Sequence, residues 1–286
     1  MQVTVYAAAK LNLTLDVVGK REDGYHELES IMQSINCYDV LTAEETDGGV
    51  TLVVSGAAVC PTEKNTAYRA AQVFLRETGV SGGVRMTLEK RIPQQAGMGG
   101  GSADAAAALL ALDRLYDTRL STDALCAMGA QVGADVPFCV CGGTVMVTGI
   151  GEKLQALPPM PDCCIVVAQP TDGVSTAAAY AALDEATTLV RPDNAAAVAA
   201  LRRGDLVGLC DAVCNAFETA TAIEGVRAIR ARMANFSPLA AQMTGSGSAV
   251  FAVFADERQA EACAATLARE FPVAFVCRPC DGNRIE

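Results

Sequence analysis

Pro93-Gln94-Gln95-Ala96-Gly97-Met98-Gly99-Gly100-Gly101-Ser102-Ala103-Asp104 is the stretch that decides how this chain is read. Four glycines stand within five residues, and an alanine-rich apolar run over 105–115 follows at once. Glycine accepts positive φ and lets a ligand come close to the backbone. A helix opening here presents free N–H groups and the positive end of its dipole, which together bind phosphate. Ser102 is the expected cap, with Asp104 in the first turn. A glycine cluster ahead of a helix can be a plain turn, but such turns rarely need three consecutive glycines flanked by a fourth. No Gly-Lys-Ser/Thr follows, so this is not a Walker loop. Ser102 stands where the dinucleotide fingerprint would carry its last glycine. The expectation is a polyphosphate cradle on some other nucleotide-binding fold.

Working outward, the alternation over 84–88 predicts a strand leading into the loop. Upstream, Val3, Val5, Leu11, Leu13, Leu15 and Val17 alternate at period two and predict one long strand or a pair. Further strands are expected at 31–35 and 50–54, and a helix at 64–78 ending at Gly79. Helices at 102–116 and 121–131, the second capped by Ser121, lead to strands at 144–147 and 153–157. Pro158-Pro159-Met160-Pro161 is the linker candidate. It divides the chain into residues 1–157 and 158–286. Beyond it come a buried strand at 164–168 and helices at 176–184, 194–203, 205–220 and 223–234. The end reads strand, strand, helix, strand at 240–243, 249–254, 257–270 and 273–277. Thr244-Gly245-Ser246-Gly247-Ser248 is a second candidate ligand loop.

The 286 residues are 51% hydrophobic, enough for a large core in one or two domains. A net charge of −11 repels nucleic acid and anionic membrane, so neither is an expected partner. No uninterrupted apolar stretch reaches membrane-spanning length. The first residues run straight into Lys10 and a strand pattern, not a leader peptide. The 12 cysteines are therefore read as mostly small core residues of a reduced, cytoplasmic protein. Cys277-x-x-Cys280 has metal spacing but stands alone, and it too is taken as structural.

Three separated motifs carry a family resemblance. The first is Ala8-Ala9-Lys10-Leu11-Asn12-Leu13, continuing through Gly19-Lys20-Arg21-Glu22-Asp23-Gly24-Tyr25-His26-Glu27-Leu28. The second is the glycine loop, and the third is Met243-Thr244-Gly245-Ser246-Gly247-Ser248-Ala249. In order and spacing they resemble the GHMP kinase superfamily, the small-molecule kinases of galactose, homoserine and mevalonate type. Lys-x-Asn-Leu followed by Arg-x-Asp-Gly-Tyr-His narrows the likeness to the diphosphocytidyl-methylerythritol kinase family, and Gly133-Ala134-Asp135-Val136-Pro137-Phe138 fits it too. The likeness runs from residue 3 to about residue 278. Met98 departs from the superfamily's more usual leucine, a swap of similar volume.

The resemblance implies an α+β fold. Its N-terminal domain is like ribosomal protein S5 domain 2, its C-terminal domain is ferredoxin-like, and the active site lies in the cleft between them. It implies an ATP-dependent kinase acting on the 2-hydroxyl of 4-diphosphocytidyl-2-C-methyl-D-erythritol in non-mevalonate isoprenoid synthesis. Asp135 is then the general base; from the residues alone it could equally be a turn aspartate capping its own backbone. Lys10, otherwise an edge-strand lysine, pairs with Asp135 and the reacting hydroxyl. Asn12, two residues on and so on the same strand face, orients substrate. Tyr25 stacks on cytosine, His26 (the only histidine) bonds its polar edge, and Tyr180 is a candidate for the opposite face. Pro93, Gly97, Met98, Gly99, Gly100, Gly101, Ser102 and Ala103 hold ATP, with Ser102 also meeting Mg²⁺. Thr244, Gly245 and Gly247 line the substrate-phosphate side, or form a tight turn and nothing more. The expected partner is a small molecule, and the expected assembly a monomer or homodimer. The alternatives are a mevalonate- or homoserine-type kinase, a diphosphomevalonate decarboxylase-like lyase, and an inactive nucleotide-binding module.

Overall fold

The structure is a computed structural model, and it describes residues 1–56, 60–173 and 175–286. Its frame is a long antiparallel hairpin, β1 (Gln2–Lys20) and β2 (His26–Thr46). β1 is buried without a break over residues 7–17, so both its faces are covered. That explains why a period-two pattern holds Lys10 and Asn12 among apolar neighbours. β3 (Gly49–Ser55) and β4 (Gly83–Glu89) extend the sheet beyond β2. β5 (Thr144–Gly149) pairs with the start of β2, and β6 (Lys153–Ala156) with β5.

Among the described residues, four α-helices belong to this half. α1 (Thr66–Thr78) starts at Asn65, whose side chain accepts from the Ala67 N–H, and stops at left-handed Gly79. α2 (Gly100–Leu115) is buried nearly all round, and its alanines let it lie close on β1 and β2. The sequence places its cap at Ser102. The cap is Gly99 instead, and no side chain bonds the first N–H groups. Three glycines tolerate the approach of neighbouring groups that a capping side chain would obstruct. α3 (Thr122–Ala130) is capped by Ser121 as expected. α4 (Val136–Cys141) is an addition: Asp135 heads a short helix.

The second sheet contains β7 (Cys164–Gln169) together with three later strands. Between β7 and them lie α5 (Thr176–Glu185), α6 (Asn194–Arg203), α7 (Leu206–Asp211), β8 (Cys214–Asn215) and α8 (Ala216–Thr221). The single helix expected over 205–220 is thus two. Asp205 caps the first and Asn215 the second, while Cys214 and Asn215 pair with β1. Two cap residues with an extended pair between them outweigh the helical spacing. Next come α9 (Glu224–Ala234), β9 (Ala240–Met243), β10 (Val250–Phe254), α10 (Glu257–Leu267) and β11 (Val273–Cys277). Strand order β11-β7-β10-β9, with α9 and α10 as the two crossover helices, is the ferredoxin-like arrangement. β12 (Arg284–Ile285) returns the chain end to β1, and its Arg284 lies 4.8 Å from the Tyr6 ring and 4.7 Å from that of Tyr38.

One core cluster fills the first half and continues into Ile165, Val167, Phe251 and Val253 of the second sheet. A second joins the other face of that sheet to its helices. The two halves are packed together, and the groove between them sits where both glycine loops end.

Candidate active site

The two glycine loops touch backbone to backbone. A Cβ on Gly97 would lie 2.3 Å from the Thr244 carbonyl oxygen, and one on Gly245 2.9 Å from that of Gly97. The Ser248 and Ala249 N–H groups donate to the Gln95 and Ala96 carbonyls, at 3.4 and 3.2 Å. Any side chain at Gly97 would force the loops apart. Thr244 is fully buried in this seam, and its hydroxyl oxygen accepts from the Asn12 N–H at 3.0 Å. The third motif is therefore more than a turn between β9 and β10. It ties β1 to the phosphate-cradle candidate.

Lys10 and Asn12 lie on this seam, 4% and 1% exposed. The Lys10 ammonium donates to Asn12 Oδ1 at 2.6 Å, and Asn12 Nδ2 donates to Ser30 Oγ at 2.8 Å. Lys10 Nζ lies 3.7 Å from Asp135 Oδ2, and a Cβ on Gly99 would strike its Cγ at 2.9 Å. A lysine this buried needs anionic company. Asp135 supplies it while keeping 34% of its side chain exposed. Asp135 occupies a helix-cap position but makes no capping bond, so the backbone-capping alternative is overturned. Lys10 is buried, and on the side away from β2 its N–H donates to the Met98 carbonyl of the glycine loop at 3.0 Å, which removes the exposed-edge alternative.

A cavity of about 610 Å³ opens over these groups. Lys10, Asn12, Tyr25, His26, Gly97, Gly99, Ser102, Asp135, Tyr180 and Gly245 all line it. Its far end is aromatic. His26 stacks on Tyr180, with ring centroids 4.7 Å apart and planes at 28°. One face of Tyr180 is therefore taken by His26, and Phe217 meets the ring edge-on at 4.9 Å. Burial pushes the Tyr180 phenol up to about 12, so it stays protonated. Tyr25 projects from the turn between β1 and β2, 61% exposed.

The remaining glycine-loop residues divide differently. Pro93, Gly100 and Gly101 line a separate cavity of about 260 Å³ on the other side of the α2 N-terminus. Met98 and Ala103 are buried, contributing a carbonyl to the Lys10 N–H and the first helical N–H. Gly247 packs against Met243 and Ile223.

Some cavity residues escape the sequence reading. Asp184 stands behind the cavity wall: its carboxylate takes the His26 Nε2 at 2.7 Å and also binds Lys20. Hydrogen bonds from Lys20 first, then His26, hold it below the usual carboxylate range. The available signal was its position four residues after Tyr180 on one helix face. Thr176 and Phe217 line the cavity, and nothing in their local sequence marks them; Ser246 lines it too, within the candidate ligand loop.

Two family models match this chain, the GHMP kinases N-terminal domain over residues 65–143 and the GHMP kinases C-terminal domain over 197–273. A 4-diphosphocytidyl-2-C-methyl-D-erythritol kinase from Moorella thermoacetica is 43% identical over 281 residues, 96% of this chain and 98% of the relative. One from Caldicellulosiruptor saccharolyticus is 41% identical over 257 residues, 89% of each chain. The chain belongs to the 4-diphosphocytidyl-2-C-methyl-D-erythritol kinase family of GHMP kinases. A crystal structure of a 4-(cytidine 5′-diphospho)-2C-methyl-D-erythritol kinase superposes with a TM-score of 0.83 at 34% identity, covering 98% of this chain and all of the other. Homoserine kinase from Cytophaga hutchinsonii shares the fold, with a TM-score of 0.78 at 20% identity, covering 100% of this chain and 97% of the other. The α+β, two-domain expectation holds for the family and for this chain.

Proposed function

We propose that this protein transfers the γ-phosphoryl group of ATP to the 2-hydroxyl of 4-diphosphocytidyl-2-C-methyl-D-erythritol. The observation that carries the reading is the Lys10–Asp135 approach of 3.7 Å in a groove bordered by the capless N-terminus of α2. Phosphoryl transfer asks mainly for positioning and charge neutralisation. Asp135 Oδ2 accepts the proton of the alcohol, and the Lys10 ammonium offsets the charge that grows on the alkoxide oxygen. Asn12, held by Lys10, Ser30 and Thr244, fixes the lysine and the substrate polyol. The free N–H groups of α2 hold the ATP phosphates before and after transfer.

A cradle of glycines that a Cβ would fill suits a polyphosphate, and the Ser102 hydroxyl is a hard oxygen donor beside it. Mg²⁺ bound with ATP would be held by phosphate oxygens and Ser102, supplying further charge neutralisation. The second cavity, reached past Gly100 and Gly101, gives room for the nucleoside of ATP. Tyr25 stacks on the cytosine at the aromatic end, His26 reads its polar edge, and Tyr180 with Phe217 backs the histidine. Gly245 and Ser246 border the diphosphate.

The same reading divides the chain at residues 1–157 and 158–286, with the proline run between β6 and β7. It places the protein in the cytoplasm, as a monomer or homodimer, with no nucleic acid or membrane partner. The −11 charge weighs against nucleic acid and anionic membrane as partners, and among the described residues no helix is long and apolar enough to cross a membrane. The test is ADP release in a coupled assay with the cytidine substrate, mevalonate and homoserine in parallel. Turnover with the cytidine substrate alone is expected. Preference for either other alcohol, or CO₂ release from diphosphomevalonate, overturns the assignment.

A further inference from the structure

Burial pushes most thiols of this chain up, those of Cys163 and Cys210 to about 12. Cys126 and Cys141 differ in position. Their sulfurs lie 3.6 Å apart, brought together from the middle of α3 and the last residue of α4. Cys141 is exposed and Cys126 half-buried, so a small molecule in solution reaches the pair. The Cys126 thiol is close enough to donate to Cys141. That hydrogen bond lowers the Cys141 thiol and raises that of Cys126. Two thiols 3.6 Å apart, one of them exposed, are placed to act as an attacking and a resolving group.

α4 is only six residues long, with Asp135 at its head and Cys141 at its end. The helix is pinned between them, where Asn283 Nδ2 donates to the Cys139 carbonyl at 2.6 Å. Among the described residues, the Asp135 carboxylate has no ionic partner closer than Lys10. Closing the sulfurs from 3.6 Å to the about 2.05 Å of a bond shifts or twists the end of α4 against α3. A helix this short has little length over which to absorb that movement before Asp135.

We propose that Cys126 and Cys141 form a reversible thiol–disulfide site for small-molecule disulfides, and that its closure slows turnover by displacing Asp135. The effect on turnover rests on the role assigned above to Asp135; formation of the bond does not. The Cys141 thiolate attacks one sulfur of the oxidant and expels the other half as a thiolate. Cys126 then gives its proton to solvent, attacks the Cys141 sulfur and expels the second half. Two cysteine thiols are oxidised and one disulfide is reduced to two thiols.

The experiment treats the full chain with oxidised glutathione, alkylates the remaining thiols and maps peptides by mass spectrometry. The expected product is a Cys126–Cys141 cross-linked peptide that dithiothreitol removes. Cys126→Ser is expected to stop at a glutathione adduct on Cys141. In the ADP assay, kcat of the oxidised protein is expected to fall severalfold with KM for ATP little changed. Cys141→Ser should keep basal turnover and lose the response to oxidant. Absence of the cross-link overturns the site whether or not the protein is a kinase. A cross-link that leaves kcat unchanged, or a Cys141→Ser protein that still responds, overturns the coupling to Asp135.

Discussion

Two lysines straddle the start of α2, and they are served very differently. Lys10 has one carboxylate, a third exposed, at 3.7 Å, and its ammonium faces a large cavity. Lys90 is held by two buried carboxylates, Asp39 and Asp104, the latter at 2.6 Å, and its Nζ lies 3.4 Å from where a Gly100 Cβ would be. Burial alone would pull the Lys90 ammonium down, but Asp104 and Asp39 outweigh it and raise it. The Asp104 carboxyl is pushed up to about 8, chiefly by burial, and its Oδ1 has no hydrogen-bond partner. One cation cannot satisfy two buried carboxylates fully. The lesson is that a lysine surrounded by carboxylates anchors the glycine loop, whereas an under-served one can still meet a substrate.

Substituting each lysine in turn breaks the comparison most sharply. Lys90→Met leaves Asp39 and Asp104 buried without a cation, and a loss of about 3–5 kcal/mol is expected in denaturant unfolding. Lys10→Met is expected to leave the fold near the parent's stability and to cut kcat by about 10²–10³-fold, the usual cost of one transition-state electrostatic contact. Equal stability losses in the two variants would erase the distinction between anchor and reagent. Asp184→Asn weakens the support of His26. KM for the cytidine substrate should rise about fivefold, equivalent to roughly 1 kcal/mol for one net hydrogen bond, with KM for ATP unchanged.

The smallest effect is one of pH. The folded Asp104 carboxyl titrates near 8, against an ordinary 3.8. The folded chain thus holds a proton that the unfolded chain releases. The stability it gives is complete below about pH 4 and is lost as pH rises through 8. Unfolding free energies at pH 5 and pH 9 should show this decline in the parent and a flatter profile in Asp104→Asn.

What could be read from the sequence follows the reach of each signal. Period-two alternation, the Ser121 cap and the Gly79 stop are local, and those elements stand where expected. The glycine loop, Lys10 and Asn12 were visible because each breaks a local rule: too many glycines, or polar groups in an apolar strand. Asp205 and Asn215 each cap a helix, yet the pairing of β8 with β1 that separates those helices is a long-range contact. Phe217 reaches the cavity because α8 packs against α5, and Asp184 reaches His26 across 158 positions, which no short stretch records. The stacking of His26 on Tyr180 joins residues 154 positions apart, so the order of rings at the aromatic end was likewise hidden.

The central claim concerns the carboxylate that leaves Lys10 under-served. The measurement is ADP release by Asp135→Asn with saturating ATP and cytidine substrate, beside ATP affinity determined by calorimetry. The account predicts kcat lower by about 10²–10⁴-fold, the range for loss of a general base, with ATP affinity within a few fold of the parent. Turnover within tenfold of the parent would contradict it, because proton transfer would then run through some other group.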